Sequence, residues 1–110
     1  MANRYRGEVS AVLDGRTFTL CLPLGALAEL EATFQASDMG ALVERFGNGT
    51  LSARDAVAVI GAGLRGAGHA IQDDEVARMR ADGGAAGFAA IVADLLSVTF
   101  GSAEEAADPS

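Results

Sequence analysis

Residues 8–22 read EVSAVLDGRTFTLCL, and no other stretch of the chain restricts its fold as much. Apolar and polar side chains alternate on both sides of Asp14-Gly15. Asp-Gly is favoured in two-residue type I′ hairpin loops because both central positions need positive φ. With that loop Leu13 faces Arg16, Ala11 faces Phe18 and Val9 faces Leu20. Val9, Ala11, Leu13, Phe18 and Leu20 then share one side of the ribbon, and Ser10, Thr17 and Thr19 share the other with Val12 and Cys21. A lone hairpin is marginal in water, so helices must cover its apolar side.

From Pro23 the apolar period becomes helical. Proline suits a first helical turn, and Leu24, Leu27, Leu30 and Phe34 recur at helical spacing with Glu29 and Glu31 turned away. Ser37 or Asp38 caps a second helix carrying Met39, Leu42, Val43 and Phe46, and Gly47-Asn48-Gly49 ends it. Ser52-Ala-Arg-Asp55 is a capping-box variant opening a third helix, with Val57, Ile60 and Leu64 on one face. Asp73 opens a short fourth through Val76 and Met79, closed by Gly83-Gly84. A fifth runs from about Ala85 to Phe100 around Phe88, Ile91, Val92, Leu95, Leu96 and Thr99. The expectation is an α+β domain over residues 1–101: an N-terminal antiparallel β-hairpin followed by four to five packed α-helices. The acidic end, residues 102–110, has no periodicity and reads as a disordered, flexible tail.

Composition narrows function more than it narrows fold. A chain of 110 residues that is 50% hydrophobic makes one domain with an affordable core. Every cation is arginine, and eight of them against fifteen acids leave a net charge of −7. That balance lacks the clustered positive charge that neutralises phosphates, so no nucleic-acid partner is expected. One cysteine and one histidine provide neither a disulfide nor a zinc-ligand set. MANRYRGEVS is no signal peptide, and no run approaches the roughly 18 apolar residues of a membrane span. The expectation is a soluble cytoplasmic protein with no cofactor, no metal and no membrane partner.

The segment VAVIGAGLRG contains Gly61-x-Gly63-x-x-Gly66, the spacing of a dinucleotide-binding loop. That reading requires a strand before the glycines and a long helix after them. SARDAVAVI instead reads as a capped helix, and only about eight residues separate Leu64 from the acidic run Asp73-Asp74-Glu75. Gly61, Gly63, Gly66 and Gly68 are therefore read as helix-packing glycines, where a neighbouring backbone comes close. His69 fits a helix C-terminus, the acids at 73–75 fit a first helical turn, and Cys21 fits a packing position. No catalytic residue is expected.

Three stretches carry a resemblance to a known family: MANRYRGEVSAVLDGRTFTLCLPLGALAELEATF, LSARDAVAVIGAGLRGAGH and DDEVARMRADGG. They resemble the small tail-assembly proteins of gene transfer agents, the phage-like particles of alphaproteobacteria, over about residues 3–101. The R-G-E start, the L-G-A-L-A-E-L-E helix and the A-G-L-R-G-x-G-H segment are its most specific parts. The resemblance implies a non-enzymatic tail assembly chaperone, which keeps the tape-measure protein soluble and presents tail tube protein for polymerisation. The alternative it implies is a structural component retained in the tail tube or its terminus. It implies no catalytic residues.

Two surfaces are expected to make such contacts. One is the polar side and open edge of the hairpin, with Arg4, Arg6, Arg16, Thr17 and Thr19 as the candidate partner interface. The other is the alanine-rich last helix, a candidate for self-association.

Overall fold

The computed structural model describes residues 2–47 and 51–101. The expected helix stop at Asn48-Gly49 and the expected tail at 102–110 lie outside the described residues.

Strands β1 (Glu8–Leu13) and β2 (Arg16–Cys21) form the hairpin in the expected register, with Leu13 opposite Arg16, Ala11 opposite Phe18 and Val9 opposite Leu20. Asp14 at φ 54° and Gly15 at φ 75° both take the left-handed conformation that a type I′ turn requires. Val9, Ala11, Leu13, Phe18 and Leu20 are all buried. A 3-10 turn over Arg4–Arg6 precedes the hairpin.

Among the described residues five α-helices follow. Helix α1 (Leu24–Phe34) starts after Pro23 and stops where Gln35 turns to φ 55°. Helix α2 (Met39–Gly47) is capped by Asp38, whose Oδ1 accepts from the Ala41 N–H at 2.8 Å. Helix α3 (Ala53–Gly66) carries the expected capping box: Asp55 N–H donates to Ser52 Oγ at 3.0 Å, and Ser52 N–H donates to Asp55 Oδ2 at 3.2 Å. Helix α4 is one turn, Asp73–Val76, and α5 spans Gly84–Phe100. Among the described residues no helix is long and apolar enough to cross a membrane.

Two details differ from the local expectation. Helix α4 ends at Val76 instead of reaching Met79, and Gly83-Gly84 opens α5 instead of closing α4. The hairpin turn is the reason. Asp14 N–H donates to Arg80 O at 2.8 Å, Arg80 N–H donates to Asp14 Oδ1 at 2.9 Å, and Leu13 bridges antiparallel to Ala81. Held by Asp14 and Leu13, residues 80–81 are outside any helix, and the chain needs a new helix start beyond them.

Helix α3 is the centre of the core. It packs against α1, α4, α5 and β2, and every residue from Ala58 to Leu64 is buried. The expectation of one apolar face was too narrow, because this helix has no free side along its middle turns.

Candidate protein-interaction surface

The ribbon register determines which backbone groups are free. The pair closing a two-residue loop exchanges both hydrogen bonds, and such pairs alternate with pairs whose N–H and C=O groups point outward. Leu13–Arg16, Ala11–Phe18 and Val9–Leu20 therefore bond to each other, while Ser10 and Val12 point out on one edge and Thr17 and Thr19 on the other. The β1 edge is closed at both ends: Glu8 N–H donates to Asn3 O at 3.0 Å, and residues 80–81 occupy the turn end. The β2 edge is closed only at Cys21, whose carbonyl lies against Gly66. Among the described residues no backbone group pairs with Thr17 or Thr19.

The structure brings Thr17 and Thr19 together on this edge and sends the three arginines elsewhere. Arg4 makes a two-pronged pair with Asp94 on α5, at 2.9 and 3.1 Å. Arg6 Nε lies 4.0 Å from Glu8 Oε2. Arg16 shares the parity of Phe18, and its guanidinium carbon sits 5.1 Å from that ring centroid, over the core side of the ribbon.

The four glycines from Gly61 to Gly68 divide into two kinds. A Cβ on Gly61 would strike the Asp73 carboxylate, and one on Gly63 would lie 2.7 Å from Leu95 Cδ2 and 3.2 Å from Leu20 Cδ2. A Cβ on Gly66 would strike the Cys21 carbonyl oxygen and lie 2.7 Å from Pro23 Cδ. Gly68, at φ 99°, has open space around it and serves the turn after the helix. Val57–Ile60 is helix and not strand, so GAGLRG forms no phosphate-binding loop.

Arg65 has a larger role than its place in GAGLRG suggested. Its Nη1 donates to Ile71 O and to Asp73 Oδ1, each at 2.9 Å, and its Nη2 donates to the Glu29 carboxylate. One guanidinium thus ties α1, α3 and α4 together. Partial burial pulls its pKa down, but the hydrogen bonds to Glu29 and Asp73 outweigh burial and hold it above the ordinary value. Arg45 does a similar job for α2, donating to both oxygens of the buried Asp55 at 3.2 and 3.0 Å. These partners are distant in sequence, so no local spacing announces them.

Cys21 donates from Sγ to Gly66 O at 3.3 Å. Burial pushes its thiol up, Glu8 adds to the rise and Arg6 opposes it, so the group is kept as a thiol and not as a nucleophilic thiolate. The His69 ring stands edge-on to Phe18, with centroids 5.2 Å apart. Among the described residues no three His, Cys, Asp or Glu side chains group as metal ligands.

An apolar groove of about 270 Å³ runs between α3, α4 and α5. Val57, Ile60, Val76, Met79 and Phe88 line it, with Leu51 exposed at its rim. Helix α5 is apolar almost all round, with Asp94 as its one charge, yet only Val92 and Leu95 are fully buried. A helix of that composition ordinarily lies inside a larger body.

A protein-family model described as phage tail tube protein, GTA-gp10, matches residues 6–102. No curated protein and no solved structure matches the chain.

Proposed function

Because the chain belongs to the phage tail tube protein GTA-gp10 family, we propose that it is a non-enzymatic tail morphogenesis factor. In this reading it is a tail assembly chaperone that holds tape-measure and tail tube proteins in the bacterial cytoplasm while particles form. The observation that carries the reading is the apolar groove beside an under-covered α5. A cavity of about 150 Å³ accepts a benzene-sized group, so the groove seats roughly two aliphatic or aromatic side chains of a partner helix. Burying two such side chains contributes about 3–6 kcal/mol before ordering costs. That gain only begins to offset the roughly 4–15 kcal/mol that association costs, so in this reading the partner also covers the exposed apolar side of α5.

A second reading, a structural component retained in the tail tube or its terminus, is favoured by the family's own description. Quantitative mass spectrometry of purified particles separates the two. Absence from particles, with co-purification of tape-measure and tail tube proteins from assembling cells, supports the chaperone. Stoichiometric presence in particles replaces it with the structural role. Failure to co-purify with either protein, together with absence from particles, overturns both.

A further inference from the structure

We infer that helix α2 is a clasp, which opens and recloses as a unit while the rest of the domain stays folded, with the Arg45–Asp55 ion pair as its latch. Opening uncovers apolar surface that the closed chain withholds. The inference goes beyond the tail role and stands without it.

The seat of α2 is slight beside those of its neighbours. The helix packs chiefly against α1, and Leu42 is its one fully buried residue. By contrast α1 buries Ala26, Leu27 and Leu30, and α3 is buried through its middle turns. Among the described residues, the backbone hydrogen bonds of α2 run within the helix or to its own cap at Asp38. Among the same residues its polar hold on the body is Arg45 alone, whose Nη2 donates to both Asp55 oxygens at 3.2 and 3.0 Å. The same guanidinium lies over the Phe34 ring, 5.3 Å from its centroid, and Phe46 meets that ring edge-on at 5.2 Å.

The apolar stripe of α2 is only half used. At about 100° per residue, Met39, Leu42, Val43 and Phe46 form a band about 100° wide. Leu42 at one edge is fully buried, whereas Met39 is 46% exposed and Val43, at the other edge, 43%. The helix is thus seated by the side of its stripe, with Arg45 turned in beyond Leu42. The outer half of the stripe contributes little to holding it down.

Alone, α2 cannot persist as a helix. Its nine residues, Gly40 among them, fall below the roughly 12–15 at which isolated helices become marginal. Leaving α1 therefore means unwinding, and opening is all-or-none over the segment. The body keeps its own ties meanwhile: Asp55 stays in the α3 cap through Ser52, and Arg65 still joins α3 to Glu29 of α1. Elements with few buried contacts open at lower free energy than the core. The open clasp bares Phe34, and it frees Leu42 and Phe46 beside Met39 and Val43.

Native-state hydrogen exchange of the full chain, read by NMR at residues 43–46 of α2 and 60–64 of α3, tests the inference. After correction for intrinsic rates, the α2 amides are expected to be protected, to exchange together, and to do so about 100-fold or more faster than those of α3. Low urea should speed the α3 amides and leave those of α2 nearly unchanged, because opening one helix exposes little surface. Val92→Ala, which weakens the core at α5, should speed α3 about tenfold or more and α2 not at all. Should that variant fail to fold, the urea series on the unaltered chain decides. Arg45→Ala removes the latch and should speed the α2 amides about fivefold or more. Exchange of α2 at the rate of α3, or acceleration of both together by urea or by Val92→Ala, means that α2 opens only with the whole domain and overturns the inference. Exchange of α2 at unprotected rates leaves no closed state and overturns it as well. Amides of α2 indifferent to Arg45→Ala overturn the latch.

Discussion

Replacing Gly66 by alanine tests whether the glycine cluster exists for packing, and Gly25→Ala provides the control. In a helix, alanine is favoured over glycine by up to about 1 kcal/mol, through the backbone entropy that glycine loses on folding. Gly25 lies in the first turn of α1 with nothing within 4 Å of an added Cβ, so Gly25→Ala should collect most of that gain. At Gly66 the same Cβ lands on the Cys21 carbonyl oxygen and within 2.7 Å of Pro23 Cδ. Neither can swing aside, because Cys21 is held in the sheet and the proline ring is fixed at the start of α1. Helix α3 must retreat from β2, at an overpacking cost of about 1–3 kcal/mol. It also gives up the Cys21 Sγ to Gly66 O bond. After the propensity gain is subtracted, Gly66→Ala loses about 1–2 kcal/mol, and the two variants differ by about 2–3 kcal/mol. At about 4–8 °C per kcal/mol for a domain of this size, thermal melts by far-UV circular dichroism should separate them by more than 8 °C or so. Urea midpoints should rank them in the same order. Equal stability of Gly66→Ala and Gly25→Ala would refute the packing account of the whole cluster.

Other perturbations have equally definite signs. Arg45→Ala strands the buried Asp55 carboxylate with only its cap contact to Ser52, and should lose about 1–3 kcal/mol in urea titration. Adding Asp55→Asn should recover part of the loss, since a neutral side chain needs no cation. Arg65→Lys keeps the charge but loses the fork that reaches Ile71, Asp73 and Glu29 together, so it should recover less than half of what Arg65→Ala loses. Because the folded Cys21 thiol is held above its ordinary value by burial and by Glu8, folded protein should alkylate slowly at neutral pH compared with protein unfolded in urea. For the same reason stability is full below the ordinary thiol pKa. It falls as pH rises toward the folded value, where only the unfolded chain has lost the proton. Cys21→Ser should remove that slope.

The hairpin was legible because its information is local. Asp14-Gly15 fixes the loop, the loop fixes the register, and the alternation fixes the buried side. The caps at Asp38 and Ser52–Asp55 were legible for the same reason, since each joins residues three apart. The pairing of Arg80 and Ala81 with the hairpin turn was not. Val76-Ala-Arg-Met-Arg is a run of residues with no barrier to helix, and nothing within it records that Asp14, 66 residues upstream, takes its backbone. Arg65 was hidden in the same way, since its acids stand at 29 and 73. The candidate interface divides along this line: Thr17 and Thr19 follow from strand parity, whereas the destinations of Arg4, Arg6 and Arg16 depend on which helix arrives beside them.

The imitation of a nucleotide loop by GAGLRG has a physical origin. A phosphate loop and a central helix both require a backbone that something else can approach, and glycine satisfies both. What separates them is direction. In a helix, residues two and five positions on lie about 200° and 140° around the axis, so Gly61, Gly63 and Gly66 cannot converge on one ligand. They face Asp73 of α4, Leu95 of α5 with Leu20 of β2, and the Cys21 carbonyl with Pro23. Each missing Cβ admits a different neighbour, which is what a helix enclosed on all sides needs and an amphipathic helix does not. The same logic accounts for the alanines between them, because Ala58 and Ala62 are buried as well. With α3 so enclosed, α5 is left at the margin of the core with only two residues fully covered. The chain encloses one central helix and leaves apolar surface beside it, in the groove between α3, α4 and α5 and along α5 itself.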